Sequence, residues 1–65
     1  MRGRIEAFDE HRGDGLVRSD AGESFYFHCV DIGDGTRTIT VGQRVSAERR
    51  VGHLGHDEAA EIVEV

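Results

Sequence analysis

Sixty-five residues, thirteen acids against eight arginines with no lysine, and a net charge of −5 describe a small acidic chain. That length is read as a single domain that buries only about 60% of its unfolded surface and has no room for a deep catalytic pocket, so the expectation is a non-enzymatic protein. The lone Cys29 excludes an internal disulfide, no apolar run approaches the ~20 residues of a membrane helix, and no signal-peptide core follows Met1-Arg2-Gly3-Arg4, so the expected compartment is the cytoplasm, with no membrane contact.

Nine glycines and no proline set the organisation. Gly13-Asp14-Gly15, Asp20-Ala21-Gly22, Gly33-Asp34-Gly35, Val41-Gly42-Gln43 and the Gly52 to Gly55 stretch recur at intervals of roughly ten residues, the turn spacing of a small all-β protein. They delimit five predicted strands. The first, Arg2–Asp9, carries Ile5 on one face, with Phe8 on the other unless a bulge turns it inward. The second is Leu16–Ser19, with Val17 in the core. The third, Ser24–Val30, alternates so that Phe25 and Phe27 face the core while Tyr26 and His28 face solvent. Thr36 to Thr40 alternates too, but between turns it is predicted as loop anchored by Ile39. The fourth strand is Arg44–Val51 and the fifth Ala60–Val65. His56 to Glu61 has local helix propensity, yet so short a helical start cannot sustain itself, and the β-branched tail favours a closing strand. The predicted core is Ile5, Val17, Phe25, Phe27, Ile32, Ile39, Val45 and Ile62.

Several motifs that could carry chemistry do not. His53-x-x-His56-Asp57 offers two imidazoles and a carboxylate, short of the four ligands of a structural zinc site, so it is read as an exposed loop and no metal or other cofactor is expected. Asp9-Glu10-His11 lacks a nucleophile and a pocket. Cys29 and His28 are adjacent in a predicted strand and so point to opposite faces, which excludes a dyad. The Gly-Asp-Gly pairs lack the Lys-Ser/Thr and following helix of a phosphate loop. What remains is Tyr26 beside His28 on a solvent face, a pair suited to unpaired nucleobases, since flat rings stack on bases with little sequence demand. Arg12 can bind a phosphate, or pair with Asp14 or Asp9. Arg4, Arg37 and Arg44 are read as solvated surface rather than a positive rim.

In order along the chain, Gly3-x-Ile5-x-x-Phe8-Asp9, Arg12-Gly13-x-Gly15-x-Val17, Phe25-Tyr26-Phe27-His28, Ile32-Gly33-x-Gly35, Gly42-Gln43-x-Val45 and Ala59-Ala60-x-Ile62 resemble the bacterial cold-shock domain over the whole length. The resemblance implies a five-stranded OB-fold-like antiparallel barrel whose second and third strands form a face for single-stranded RNA or DNA. By it, Phe8 and Tyr26 would stack on bases, His28 would stack or hydrogen-bond, and Arg12 would contact a phosphate.

The chain departs from the family pattern on that same face. The usual Lys-Gly-Phe-Gly-Phe-Ile reads Arg12-Gly13-Asp14-Gly15-Leu16-Val17, Lys-Trp-Phe has become Glu6-Ala7-Phe8, and aromatics are also missing at Cys29 and Thr36. Each stacked ring is worth about 1–3 kcal/mol, so the losses remove on the order of 5 kcal/mol or more from binding that totals ~8 kcal/mol at micromolar affinity. Asp14 and Glu6 add repulsion of phosphates. Weakened nucleic-acid binding is the expected function. The alternative is a protein-interaction or self-association module, with Ala7, Leu16 and Cys29 as an apolar patch rimmed by Glu6 and Asp14. Four histidines would also lift the charge from −5 to near −1 in acid, although no bistable element is evident for them to act on.

Overall fold

The computed structural model describes residues 1–33, 38–52 and 55–65. Five strands, β1 (Arg2–Asp9), β2 (Asp14–Ser19), β3 (Ser24–His28), β4 (Arg44–Val51) and β5 (Asp57–Glu64), close into a barrel in the order β1-β2-β3-β5-β4. All neighbours are antiparallel except β3 and β5, which run parallel through Tyr26 opposite Glu58, with a further parallel bridge between Ile32 and Ile62. The architecture is therefore the expected OB-type barrel, mostly antiparallel. No helix among the described residues is long and apolar enough to cross a membrane.

Alternation makes the core. Ile5, Val17, Phe25, Phe27, Ile32, Val45 and Ile62 all turn inward and are buried, while Ile39 packs against them half-buried from an irregular segment. The pattern misses three alanines, Ala47, Ala59 and Ala60, whose small side chains fill the remaining interior. Ala59 and Ala60 are consecutive and both buried, which strict alternation forbids. A bulge resolves the conflict: the β4–β5 register shifts between Ser46 and Glu48, and Glu61 takes φ 49°, a left-handed backbone that costs a non-glycine residue roughly 1 kcal/mol.

The boundaries of three strands differ from the sequence pattern. β2 begins at Asp14 rather than Leu16, because Asp14 and Gly15 pair across to His28 and Phe27. Gly15 is a strand residue at a point of close approach: a Cβ there would strike the Ala7 carbonyl oxygen and come within 2.8 Å of the Phe27 ring. β3 ends at His28, and Cys29–Asp31 form a 3-10 turn instead of continuing the strand. β5 starts at Asp57, where pairing with β4 overrides the local helix preference.

The β1–β2 connection explains the Asp9-Glu10-His11 run. The Asp9 carboxylate accepts from the His11 and Arg12 amides at 2.9 and 3.2 Å, and the Asp9 carbonyl accepts from the Gly13 amide at 2.8 Å. Asp9 is thus a turn-former, in the manner of an Asx turn. Gly13, at φ 72°, completes this turn beneath the Cys29 thiol.

Candidate nucleic-acid interface

The outer face of β1-β2-β3 is built in rows set by strand register. One row runs Ala7, Leu16, Tyr26 and Glu58; the next is Asp9, Asp14 and His28. Between these rows, Phe8 lies opposite Gly15, and Gly15 opposite Phe27. The β1–β2 register shift between Ile5 and Ala7 places Phe8 on the inward-pointing row, so the bulge turns it from the solvent face. Its ring lies parallel to that of Phe27, with centroids 6.0 Å apart and planes 4° from parallel, in the space that the missing Gly15 side chain leaves open. Phe8 stays half-buried and forms one wall of an open cleft of about 370 Å³, whose other walls are Ala7, Asp9, Arg12, Asp14, Gly15, Leu16 and Tyr26.

Three of the four candidate residues, Phe8, Arg12 and Tyr26, therefore line one cleft. Tyr26 is 40% exposed and its hydroxyl donates to Asp14 Oδ2 at 3.2 Å, a diagonal contact between neighbouring rows of the sheet. Partial desolvation, then the hydrogen bond and charge of Asp14, hold the phenol above its ordinary pKa. Arg12 places its guanidinium 3.1 Å from the same Asp14 oxygen. Of the two carboxylates open to it in the sequence, its side chain takes Asp14, while Asp9 takes its backbone amide.

His28 stands at the end of β3, exposed, beside rather than in the cleft. Its Nδ1 accepts from the Val30 amide at 3.4 Å and so caps the 3-10 turn. That bond assigns the proton of the neutral ring to Nε2, the remaining donor of this exposed residue. The Cys29 thiol lies 3.8 Å from the same Nδ1. Because the chain turns after His28, adjacency does not hold the two residues on opposite faces, and the sulfur packs against Gly13 and the core rather than joining Ala7 and Leu16.

The charges on this face largely cancel. Glu6, at the bulge, reaches across β2, where it accepts from Ser24 Oγ at 2.6 Å and pairs with Arg18 at 3.5 Å. Arg50 sits between Asp31 at 3.0 Å and Glu58 at 3.1 Å, and both pairings hold its pKa above the ordinary value. These exposed pairs add little stability, but they remove the positive field that attracts phosphates. Away from the face, Arg44 binds Asp20 at 2.8 Å and Arg4 donates to the Gly42 carbonyl at 3.3 Å, so neither builds a rim. Arg37 and Thr36 lie outside the described residues, as does His53 of the His53/His56 motif. Asp57 is engaged by Arg49 at 2.8 Å, and no cluster of three or more metal-ligating side chains occurs among the described residues.

Pairing of Asp14 with Tyr26 and of Glu6 with Ser24 went unread in the sequence. Both contacts join residues on different strands, and only strand register brings them together.

A closed five-stranded OB-type barrel with a solvent-facing β1-β2-β3 surface defines the class of protein. No family model matches the chain. It is 32% identical over 66 aligned positions to the cold shock protein CspB of Bacillus caldolyticus, covering all of this chain and 98% of that protein. It is 34% identical over 58 positions to the cold shock-like protein CspD of Bacillus cereus, covering 88% of each, and 29% identical over 66 positions to the cold shock protein CspD of Bacillus subtilis, covering all of this chain and 98% of that protein. The chain belongs to the cold-shock protein family.

Proposed function

We propose that this protein acts by binding rather than catalysis, in the cytoplasm, and that its ligand is single-stranded RNA or DNA held weakly on the outer face of β1-β2-β3. The observation that carries this is the cleft between Phe8 and Tyr26, an aromatic-walled slot beside an exposed imidazole on a cold-shock-family barrel. A base entering it meets Tyr26 and the exposed part of Phe8, Nε2 of His28 donates to a base or sugar oxygen, and Arg12, with a side chain 72% exposed, leaves Asp14 for a phosphate. The cancelled charges and the acids at positions 6 and 14 keep the affinity low, with half-saturation expected near 0.1 mM, about 5.5 kcal/mol.

Titration with short pyrimidine-rich DNA and RNA at low salt, followed through the Tyr26 and His28 ring resonances, tests this directly. Both sets should move, and Tyr26→Ala should weaken binding about five- to a hundredfold. Resonances that stay still at millimolar oligonucleotide rule the function out.

A protein partner is the second reading, favoured by one observation: Arg12 and Arg18 on this face are both matched by carboxylates beside an exposed Leu16 and Ala7. Sedimentation of the isolated chain separates self-association from a monomer. Under this reading the oligonucleotide titration is silent.

A further inference from the structure

Asp14 is the one charged side chain that reaches into the cleft from β2, and its carboxylate is held in place rather than swinging free. Tyr26 Oη donates to Oδ2 at 3.2 Å and the Arg12 guanidinium meets the same oxygen at 3.1 Å. The Asp14 side chain is only 14% exposed, and Oδ1 has no side-chain partner among the described residues. A carboxylate oriented by two donors on one oxygen, with no side-chain partner on the other among the described residues, in the wall of a slot also lined by Phe8, Leu16 and Tyr26, is a pre-organised acceptor at the edge of a base-sized space.

We infer that Asp14 makes this face selective for guanine. The inference rests on the proposed function and specifies which base the slot takes. Guanine alone among the four bases presents two adjacent donors on its Watson–Crick edge, N1–H and the N2 amino group, which match the two oxygens of a carboxylate. Adenine and cytosine present one amino donor next to a ring acceptor, and that acceptor would face the second carboxylate oxygen lone pair against lone pair. Uracil and thymine present one N–H between two carbonyls and are repelled twice. Oδ1 accepts the first guanine donor directly; Oδ2 accepts the second when the exposed Arg12 side chain exchanges Asp14 for a phosphate, with Tyr26 Oη still holding the carboxylate in place. An aromatic at position 14 would stack on any base, so the acid exchanges a base-tolerant contact for a discriminating one.

The experiment uses the whole chain at low salt and oligothymidine seven-mers carrying one central guanine, adenine, cytosine, thymine or hypoxanthine. Wild type should bind the guanine oligonucleotide about tenfold tighter than the others, the range expected of a good bidentate contact. Hypoxanthine, which lacks the N2 amino group, should fall back toward the rest. Asp14→Asn replaces one acceptor oxygen with an NH2 donor, and an amide matches the donor–acceptor edges of adenine and cytosine alike; the variant should lose the guanine preference, with the adenine and cytosine oligonucleotides gaining on guanine together. A purely structural role for Asp14 would change affinity for all five oligonucleotides alike. Equal binding of all five by wild type, or guanine and hypoxanthine binding alike, overturns the selectivity and leaves the proposed function standing. The hypoxanthine comparison needs no variant to fold. Failure to bind any of the five overturns the proposed function and the inference with it.

Discussion

Replacement of Gly15 by alanine tests whether the inner packing of the barrel shapes the cleft. The added methyl would meet the Ala7 carbonyl oxygen on the paired strand and lie 2.8 Å from Cε1 and Cζ of Phe27. The oxygen is backbone in the β1–β2 ladder, and the Phe27 ring is fully buried and parallel to Phe8, so neither obstacle is a flexible side-chain end. Overpacking of this kind costs about 1–3 kcal/mol, and the lower entropy of the unfolded alanine chain offsets roughly 0.4–1 kcal/mol of it. The net loss of about 1–2 kcal/mol is a large share of the roughly 3–10 kcal/mol available to a chain this long, and it corresponds to a melting point lower by about 5–15 °C. Urea unfolding followed by far-UV circular dichroism, with thermal melts alongside, measures both quantities. Gly22→Ala serves as the control, because nothing lies within 4 Å of a Cβ there and only its positive φ of 94° opposes the change. Since the displaced Phe27 ring must push against Phe8, Gly15→Ala should also alter the cleft and weaken oligonucleotide binding. A Gly15→Ala protein as stable as wild type would refute the packing argument.

Leu16 sits beside Tyr26 in register and is 36% exposed, so Leu16→Phe should tighten single-strand binding about five- to a hundredfold in a fluorescence-anisotropy titration; unchanged affinity would place the ligand elsewhere. Glu61 holds φ 49° at the β5 bulge on an exposed position, and Glu61→Gly should therefore raise unfolding stability by about 0.5–1 kcal/mol, whereas Glu61→Val should lower it. The hydrogen bond from Arg44 holds the Asp20 carboxyl below its ordinary pKa, so the folded state binds fewer protons than the unfolded one and stability rises with pH through the acid range. This contribution is present above about pH 4 and lost as pH falls through the lowered value. Asp20→Asn should flatten the acid limb of the stability profile, and an unaltered limb would show that the pair is broken in solution. The Tyr26 phenol, held high, has the opposite sign, and its contribution should disappear above about pH 10, as a spectrophotometric titration of this sole tyrosine can follow.

Strand existence and facing were legible because they are local. Glycine turns at intervals of about ten residues and the two-residue alternation of Ile5, Val17, Phe25 and Phe27 depend on neighbours a few positions away, and those residues became the core. Tyr26 and His28 reach solvent for the same reason. The barrel order was legible only through resemblance to a family, because closure joins β1 to β4 and β3 to β5 across long stretches of chain.

Tertiary structure decided everything that depends on register. A single extra residue in a bulge reverses all facings beyond it, which is how Phe8 came to lie on Phe27 and how Ala59 and Ala60 are both buried. The end of β3 turns on a hydrogen bond from Val30 to the His28 ring, and strand propensity does not register such a cap. The shared hold of Tyr26 and Arg12 on Asp14 arises from a diagonal between two strands and a turn. Propensity and alternation act along one strand, whereas a functional face is assembled across several, and the offsets between them are set by pairing energies that no single segment contains.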